Sequence, residues 1–390
     1  MKIVKLRNRY YVIIVLTLVV CRIEAVRSFI GSTYTGWSIN FVSLLLFIPL
    51  LKYYANSKNK VFQTYFVTMS LGFLFHCLLL FNSVYDNFLE VLNWIALLFV
   101  LTISIQFKSK ILFLSAICFF VLNCGIAFTE RLFEFRLVEY ESEILESFIK
   151  TGDLSLQEFR SFALLGHPLT NACVTSLFMG FILANQQLSN TLKSILLAIG
   201  MLGLYGYNSR GAILVWIILI LYRFTLYKKN FLKSIIPIIV CAIVFPILMD
   251  YINSGVLGRF SFNFNDGSSA TRWLSFLFFV NQDWNIETAI LGGRYIKMPG
   301  TDLLLENGIL LNLSYWGWIV GALKTIFEVL MTYIFLKNRP KQEIFIIMFS
   351  FWGVALTNNI ITGMLPLTFF LFAYSALGST NIGTLVKYHR

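Results

Sequence analysis

Long apolar runs broken by short polar stretches set the pattern of this chain. Crossing about 30 Å of hydrocarbon takes roughly 20 residues of α-helix. The pattern predicts twelve spans, near 9–24, 36–53, 61–81, 88–106, 110–129, 168–186, 191–207, 211–227, 231–250, 308–336, 343–361 and 364–381. The run 10–21 follows a basic start and leads to Arg22 with no small-residue cleavage site, so it is expected to stay as a first span.

Two intervening segments are long. Residues 130–167 are acidic (Glu130, Glu134, Glu139, Glu141, Glu143, Glu146, Asp153, Glu158), and apolar positions within 138–149 suggest an amphipathic surface helix. Ser155 and Glu158 have capping-box spacing, which predicts a second short helix carrying Arg160. Residues 251–307 open on turn-forming Asn265-Asp266-Gly267-Ser268-Ser269 and continue into 270–280, apolar enough to lie on a membrane surface. Long segments of this kind hold function more often than packing. The expected fold is all-α: one polytopic membrane domain, 1–390, of about twelve helices, elaborated at 130–167 and 251–307.

Charge sets the orientation. Segments on the side of the two termini hold 14 Lys and 5 Arg; the opposite side holds 9 Arg and 2 Lys among 17 carboxylates, and Lys324 lies within a span. Short cationic loops mark the cytoplasmic side, so both termini are expected there. That rule does not account for the arginines opposite. Arg is the side chain suited to two-point recognition of phosphate or carboxylate, because its planar fork matches those groups and keeps its proton.

Composition narrows the class. The chain is 58% hydrophobic and 13% charged, where a soluble domain carries about 25% charged residues. A net charge of +12 could suggest nucleic acid, but the cations are dispersed beside apolar runs, so no such partner is expected. The six cysteines form no Cys-x-x-Cys pair and read as small packing residues. Three scattered histidines do not make a metal cage.

Four clusters opposite the termini carry candidate chemistry. Arg160 precedes Gly166-His167-Pro168, with Asn171 on the first turn of the next span; Gly-His-Pro also suits a simple helix break and restart. Asn208-Ser209-Arg210-Gly211 is squeezed between two spans, where a charged Arg needs a partner or must reach the interface. Arg259, Arg272, Arg294 and Lys297 lie in the large segment, Arg272 in the expected first turn of its surface helix, where free N–H groups favour anions. Asp302 and Glu306-Asn307-Gly308 mark re-entry into the membrane, as caps or as a poised base.

Phe159-Arg160, Gly166-His167-Pro168, then Ser209-Arg210-Gly211, then a large segment closing on Glu306-Asn307 and Gly317, resemble the bacterial O-antigen ligase/polymerase superfamily, specifically its Wzy-type repeat-unit polymerases. The likeness covers about 155–325 in order. It implies a membrane glycosyltransferase similar to the GT-C class, joining repeat units carried on undecaprenyl diphosphate at the outer face of the cytoplasmic membrane. It also implies a flippase and a chain-length regulator as partners, and membrane lipid around the chain. Carried onto this sequence, Arg160 and Arg210 would act on the diphosphate, with His167 and Glu306 flanking the sugar. Arg272, Arg259, Arg294, Ser209, Gly211, Gly166 and Asn307 would line the substrate. Ligases of the superfamily carry a catalytic His where this chain reads Glu306-Asn307, which favours the polymerase branch.

The chemistry is consistent with these residues. Cleaving a sugar–diphosphate bond builds negative charge on the departing oxygen, and fixed guanidinium donors stabilise it in a low-dielectric site. Glu139, Glu141 and Glu143 splay round a helix rather than pair, and the outer segments hold no Asp-x-Asp, so transfer is expected to need no metal and no cofactor. A glycan ligase is the neighbouring alternative. A lipid-oligosaccharide flippase or transporter is the other, suggested by Lys324 and Glu328 one turn apart within a span.

Overall fold

Every regular element among the described residues is a helix. The computed structural model describes residues 22–30, 109–138, 140, 159–226, 267–292, 307–355 and 365–378, with isolated helical residues inside 12–20 and 67–74. The helices are α1 (Glu24–Ile30), α2 (Lys110–Phe133), α3 (Pro168–Ala184), α4 (Asn190–Gly206), α5 (Arg210–Leu226), α6 (Gly267–Val280), α7 (Ile286–Leu291), α8 (Gly308–Trp316), α9 (Trp318–Leu336), α10 (Lys341–Ala355) and α11 (Leu365–Leu377). Of these, α2 and α9 are long and apolar enough to cross a membrane.

Helix α3 lies at the centre, packed on α10, α4, α11 and α2, and nearly all its side chains from Asn171 onward are buried. Pro168 starts it with a preset φ and no N–H to satisfy. Aromatic rings fill the space between helices: Phe119 stacks on Phe369 at 5.0 Å, and Phe181 meets Phe370 edge-on at 5.7 Å. Helix α4 is capped by Ser189, whose hydroxyl accepts from Leu192 N–H at 3.2 Å. It packs against α2 through Gly203 and Gly206. A Cβ at 203 would lie 2.8 Å from Cys124 Sγ, and one at 206 would lie 2.5 Å from the Ala127 carbonyl oxygen. Missing side chains let the two backbones approach, as in tightly packed membrane helices.

One end of the bundle is locked by polar contacts. Arg339 pairs with Glu343 at 3.1 Å and donates to the Gly378 carbonyl, while Gln186 Nε2 reaches Glu343 at 2.6 Å and Asn185 Nδ2 reaches the Leu377 carbonyl at 3.1 Å. These bonds join the C-terminal ends of α3 and α11 to the α9–α10 turn.

Several sequence expectations change. The run 308–336 is two helices, not one. Gly317 breaks it with φ 79, and α8 crosses α9 where the backbone of Asn312 touches Gly321. Apolar character alone conceals such a break, because glycine costs an apolar run nothing in hydropathy. Helix α2 continues past 129 and takes in Glu130 and Arg131. The segment 159–162 is not the expected helix; the N–H groups of Phe162 and Ala163 bind Glu130 instead of helical carbonyls. Residues 138 and 140 are not helical, and the rest of the expected amphipathic helix lies outside the described residues. The surface helix is present as α6 but begins at Gly267, which moves Arg272 into its second turn, away from the open N–H groups. The expected spans 36–53, 88–106 and 231–250 lie outside the described residues.

Candidate functional site

At the end of the bundle opposite Arg339, a buried carboxylate organises the segment that carries Arg160. Glu130, fully buried near the end of α2, accepts through Oε2 from Ser161 Oγ at 2.5 Å, Phe162 N–H at 3.2 Å and Ala163 N–H at 3.1 Å. Its Oε1 accepts from Leu137 N–H at 3.0 Å. A charge taken out of water needs such donors, and both oxygens have them. Asn123, seven residues earlier on the same helix face, accepts from Leu164 N–H at 3.1 Å and donates to Tyr207 Oη at 2.8 Å.

Other side chains complete the clamp. Arg131 donates to the Phe159 carbonyl and lies 5.6 Å from the Tyr205 ring centre. The Arg136 guanidinium lies 4.2 Å over the Phe162 ring; burial pushes its pKa down and the nearby Glu130 charge opposes that. Tyr140 donates to the Ala163 carbonyl, and burial, then the charges of Glu130 and Glu24, push its phenol up. Asn171 Nδ2 binds the Phe162 carbonyl at 2.7 Å. So many bonds stabilise the left-handed conformation of Ala163, φ 39.

The clamped segment also meets α4. Ser161 N–H donates to the Gly206 carbonyl at 3.0 Å. Tyr207 and Asn208 then turn sharply, Asn208 at φ 52, and Arg210 opens α5. Arg160 therefore immediately precedes, and Arg210 follows by about one turn, a single hydrogen bond between two segments distant in sequence. Ser209 is buried and its carbonyl accepts the Ile213 N–H at 3.0 Å; Gly211 is half-buried. Arg160 and Arg210 are each partly buried, with Arg160 Nε shielded from solvent. Gly166, φ 70, packs against Glu24, and His167 occupies the cap position of α3 without capping through its side chain.

No family model matches this chain, and comparison with curated proteins and with solved structures likewise yields no match. The site is accordingly described by its own geometry. Arg160, Gly166, His167, Ser209, Arg210 and Gly211 come to one end of the bundle. Asn307 caps α8, accepting from Ile309 and Leu310 N–H at 3.0 and 3.2 Å, and among the described residues α8 packs chiefly on α9 and α6. The backbone of Arg272 lies in α6 and its side chain falls outside the described residues, as do Arg259, Arg294 and Glu306 entirely. Among the described residues no three metal-binding side chains cluster.

The sequence pattern placed Glu130 only among the carboxylates of the acidic segment 130–167, put Tyr140 on the apolar side of an expected surface helix, and gave no role to Asn123, Arg136 or Glu24. One signal was present. Asn123 and Glu130, a heptad apart at the end of an apolar run, share a helix face and so meet the same neighbour.

The pair Lys324 and Glu328 is a buried ion pair of 3.0 Å within α9. Lys324 Nζ also donates to Asn312 Oδ1 on α8 at 3.2 Å, and Asn312 Nδ2 reaches Thr325 Oγ1 at 3.1 Å. These contacts fasten α8 to α9 across the Gly317 break.

Proposed function

We propose that the chain is a multi-pass glycosyltransferase of the bacterial cytoplasmic membrane. It polymerises oligosaccharide units by transferring a glycan from an undecaprenyl diphosphate carrier to a hydroxyl of another lipid-linked unit, outside the membrane and without a metal. In this reading the chain has about twelve spans with both termini in the cytoplasm, as the cationic short loops favour, and the clamp around Glu130 lies on the outer side. The rows Ile319, Leu323, Ile326, Leu330 on α9 and Leu214, Ile218, Leu221 on α5 are exposed, the kind of apolar surface a bilayer covers.

The observation that carries this reading is the bond between Ser161 and Gly206, which brings the Arg160 and Arg210 segments to one end of the bundle. Arg210 opens a 17-residue helix, and in this reading it and Arg160, on the neighbouring segment, offer charge and directed donors to a diphosphate. The leaving oxygen gains charge as the sugar–oxygen bond breaks, and donors already fixed in place need no reorganisation to meet it. The order of motifs that resembles Wzy-type polymerases supplies the substrate class.

The test is reconstitution of the purified chain in vesicles with an undecaprenyl-diphosphate oligosaccharide, followed by sizing of the products. A ladder of multiples supports polymerisation. A single transfer to a different acceptor supports a ligase, and movement of the lipid-linked sugar across the bilayer with no new bond supports a flippase; either result ends the polymerase reading.

A further inference from the structure

Arg136 is held beside the segment of Arg160 by its neighbours in the chain and by aromatic rings. Helix α2 gives way at Glu134 to a left-handed turn, φ 51. The Leu137 N–H then binds Glu130 Oε1 at 3.0 Å, and Tyr140 donates to the Ala163 carbonyl. These two bonds fix the backbone next to Arg136. Its guanidinium lies over the Phe162 ring at 4.2 Å, with the Phe159 ring centre 5.9 Å away. Phe159 and Phe162 flank Arg160 and Ser161 in the clamped segment.

Contact with a ring engages the face of a guanidinium and leaves its in-plane N–H donors to be met by something else. Arg131 and Arg339 have such acceptors, the Phe159 carbonyl for one and Glu343 with the Gly378 carbonyl for the other. Arg136 has neither a hydrogen bond nor an ion pair among the described residues. Its Nε is shielded from solvent, while the side chain as a whole stays partly exposed. Glu130 accepts instead from Ser161, Phe162, Ala163 and Leu137, although its charge favours the protonated guanidinium. Around this cation the surface is apolar. Phe133, Phe135 and Leu137 are exposed, with the rings of Phe133 and Phe135 6.3 Å apart. A fixed guanidinium beside exposed apolar side chains, at the end of a helix long enough to cross a membrane, matches an oxyanion that carries an apolar chain.

We infer that Arg136 binds a phosphate of the lipid-linked substrate, with Phe133, Phe135 and Leu137 against its polyprenyl chain, a deepening that rests on the glycosyltransferase reading above. The carrier suits this place better than a bulk phospholipid does. The rings that hold the guanidinium flank Arg160, which that reading assigns to the diphosphate. Arg136 moves no proton and breaks no bond; it binds and positions the phosphate. Its planar fork can give two donors to one phosphate, whereas a lysine ammonium in the same place keeps the charge and loses the two-point contact.

The experiment measures binding to the full chain in phosphatidylcholine vesicles, comparing wild type, Arg136→Lys and Arg136→Gln. One probe is undecaprenyl-diphosphate oligosaccharide; the other is the same oligosaccharide on undecaprenol, which lacks the phosphates. The expected result is a Kd for the diphosphate probe raised about tenfold in Arg136→Lys and further in Arg136→Gln. The Kd for the phosphate-free probe and the detergent melting temperature should match wild type. Equal weakening for both probes, or a lowered melting temperature in both variants, shows that Arg136 only packs on Phe162 and overturns the inference. Where Arg136→Gln does not fold, Arg136→Lys decides by the same criteria; failure of both to fold overturns the inference. Unchanged diphosphate binding overturns it as well, and a loss confined to vesicles containing phosphatidylglycerol assigns Arg136 to bulk phospholipid instead. A wild type that binds the diphosphate through Arg136 but forms no glycosidic bond ends the polymerase reading and leaves this site standing. A wild type that does not bind the diphosphate probe overturns both.

Discussion

Glu130 and Ser161 meet at 2.5 Å, a contact that joins the end of α2 to the segment of Arg160 thirty-one residues later. The bond belongs to a set in which one carboxylate satisfies a hydroxyl and three backbone N–H groups. Remove the carboxylate and the buried Ser161 hydroxyl and Phe162 N–H lose this acceptor, whereas Ala163 N–H keeps Ser161 Oγ at 3.1 Å and Leu137 is exposed to solvent.

Glu130→Ala is therefore expected to destabilise the folded chain by about 3 kcal/mol or more, since each stranded donor costs roughly 1–3 kcal/mol. Glu130→Gln keeps one acceptor oxygen and should lose less. Denaturant midpoints of the three proteins in detergent give the order. Equal midpoints for wild type and Glu130→Ala would show that the clamp contributes no stability.

Arg210→Lys keeps the charge at the start of α5 but loses the planar fork. Transfer from a lipid diphosphate donor should fall by about tenfold or more, with the melting temperature unchanged. Unaltered polymer yield and size would remove Arg210 from the diphosphate.

How much of this was readable from sequence follows from the physics of each feature. Helices 168–184 and 210–226 were legible because apolar runs bounded by Gly-His-Pro or Ser-Arg-Gly leave little choice. The Gly317 break was hidden, since hydropathy averages over a turn that one backbone angle makes. Glu130 and Glu24 were hidden for a different reason. A carboxylate at the end of an apolar run looks solvated until the partner segment, distant in sequence, is folded against it. Arg160 and Arg210 were singled out by residue type, whereas the bond that brings their segments together uses the Ser161 N–H and the Gly206 carbonyl, which every sequence possesses.

Lys324 and Glu328 are both buried, so breaking one half leaves an uncompensated charge. Lys324→Met alone and Glu328→Leu alone should each destabilise by about 3–5 kcal/mol, and the double variant should recover most of that loss. If the pair serves only to hold α8 on α9, the double variant also retains transfer activity. A stable double variant with no activity would instead assign the pair to the reaction or to a transport path.

Tyr140 supplies a pH dependence outside the spans. Burial, with the Glu130 and Glu24 charges, raises its pKa above the ordinary 10.0, so the folded chain keeps a proton that the unfolded chain releases. Stability from this group is fully present below about pH 10 and falls as pH rises through the interval up to the raised value, because there the unfolded state binds fewer protons. Tyr140→Phe removes the titration along with the bond to the Ala163 carbonyl, so it should be less stable at neutral pH yet lose less on going to pH 11. Melting temperatures of both proteins across pH 7–11 decide the matter. Parallel curves would mean that Tyr140 does not titrate differently in the folded and unfolded chains.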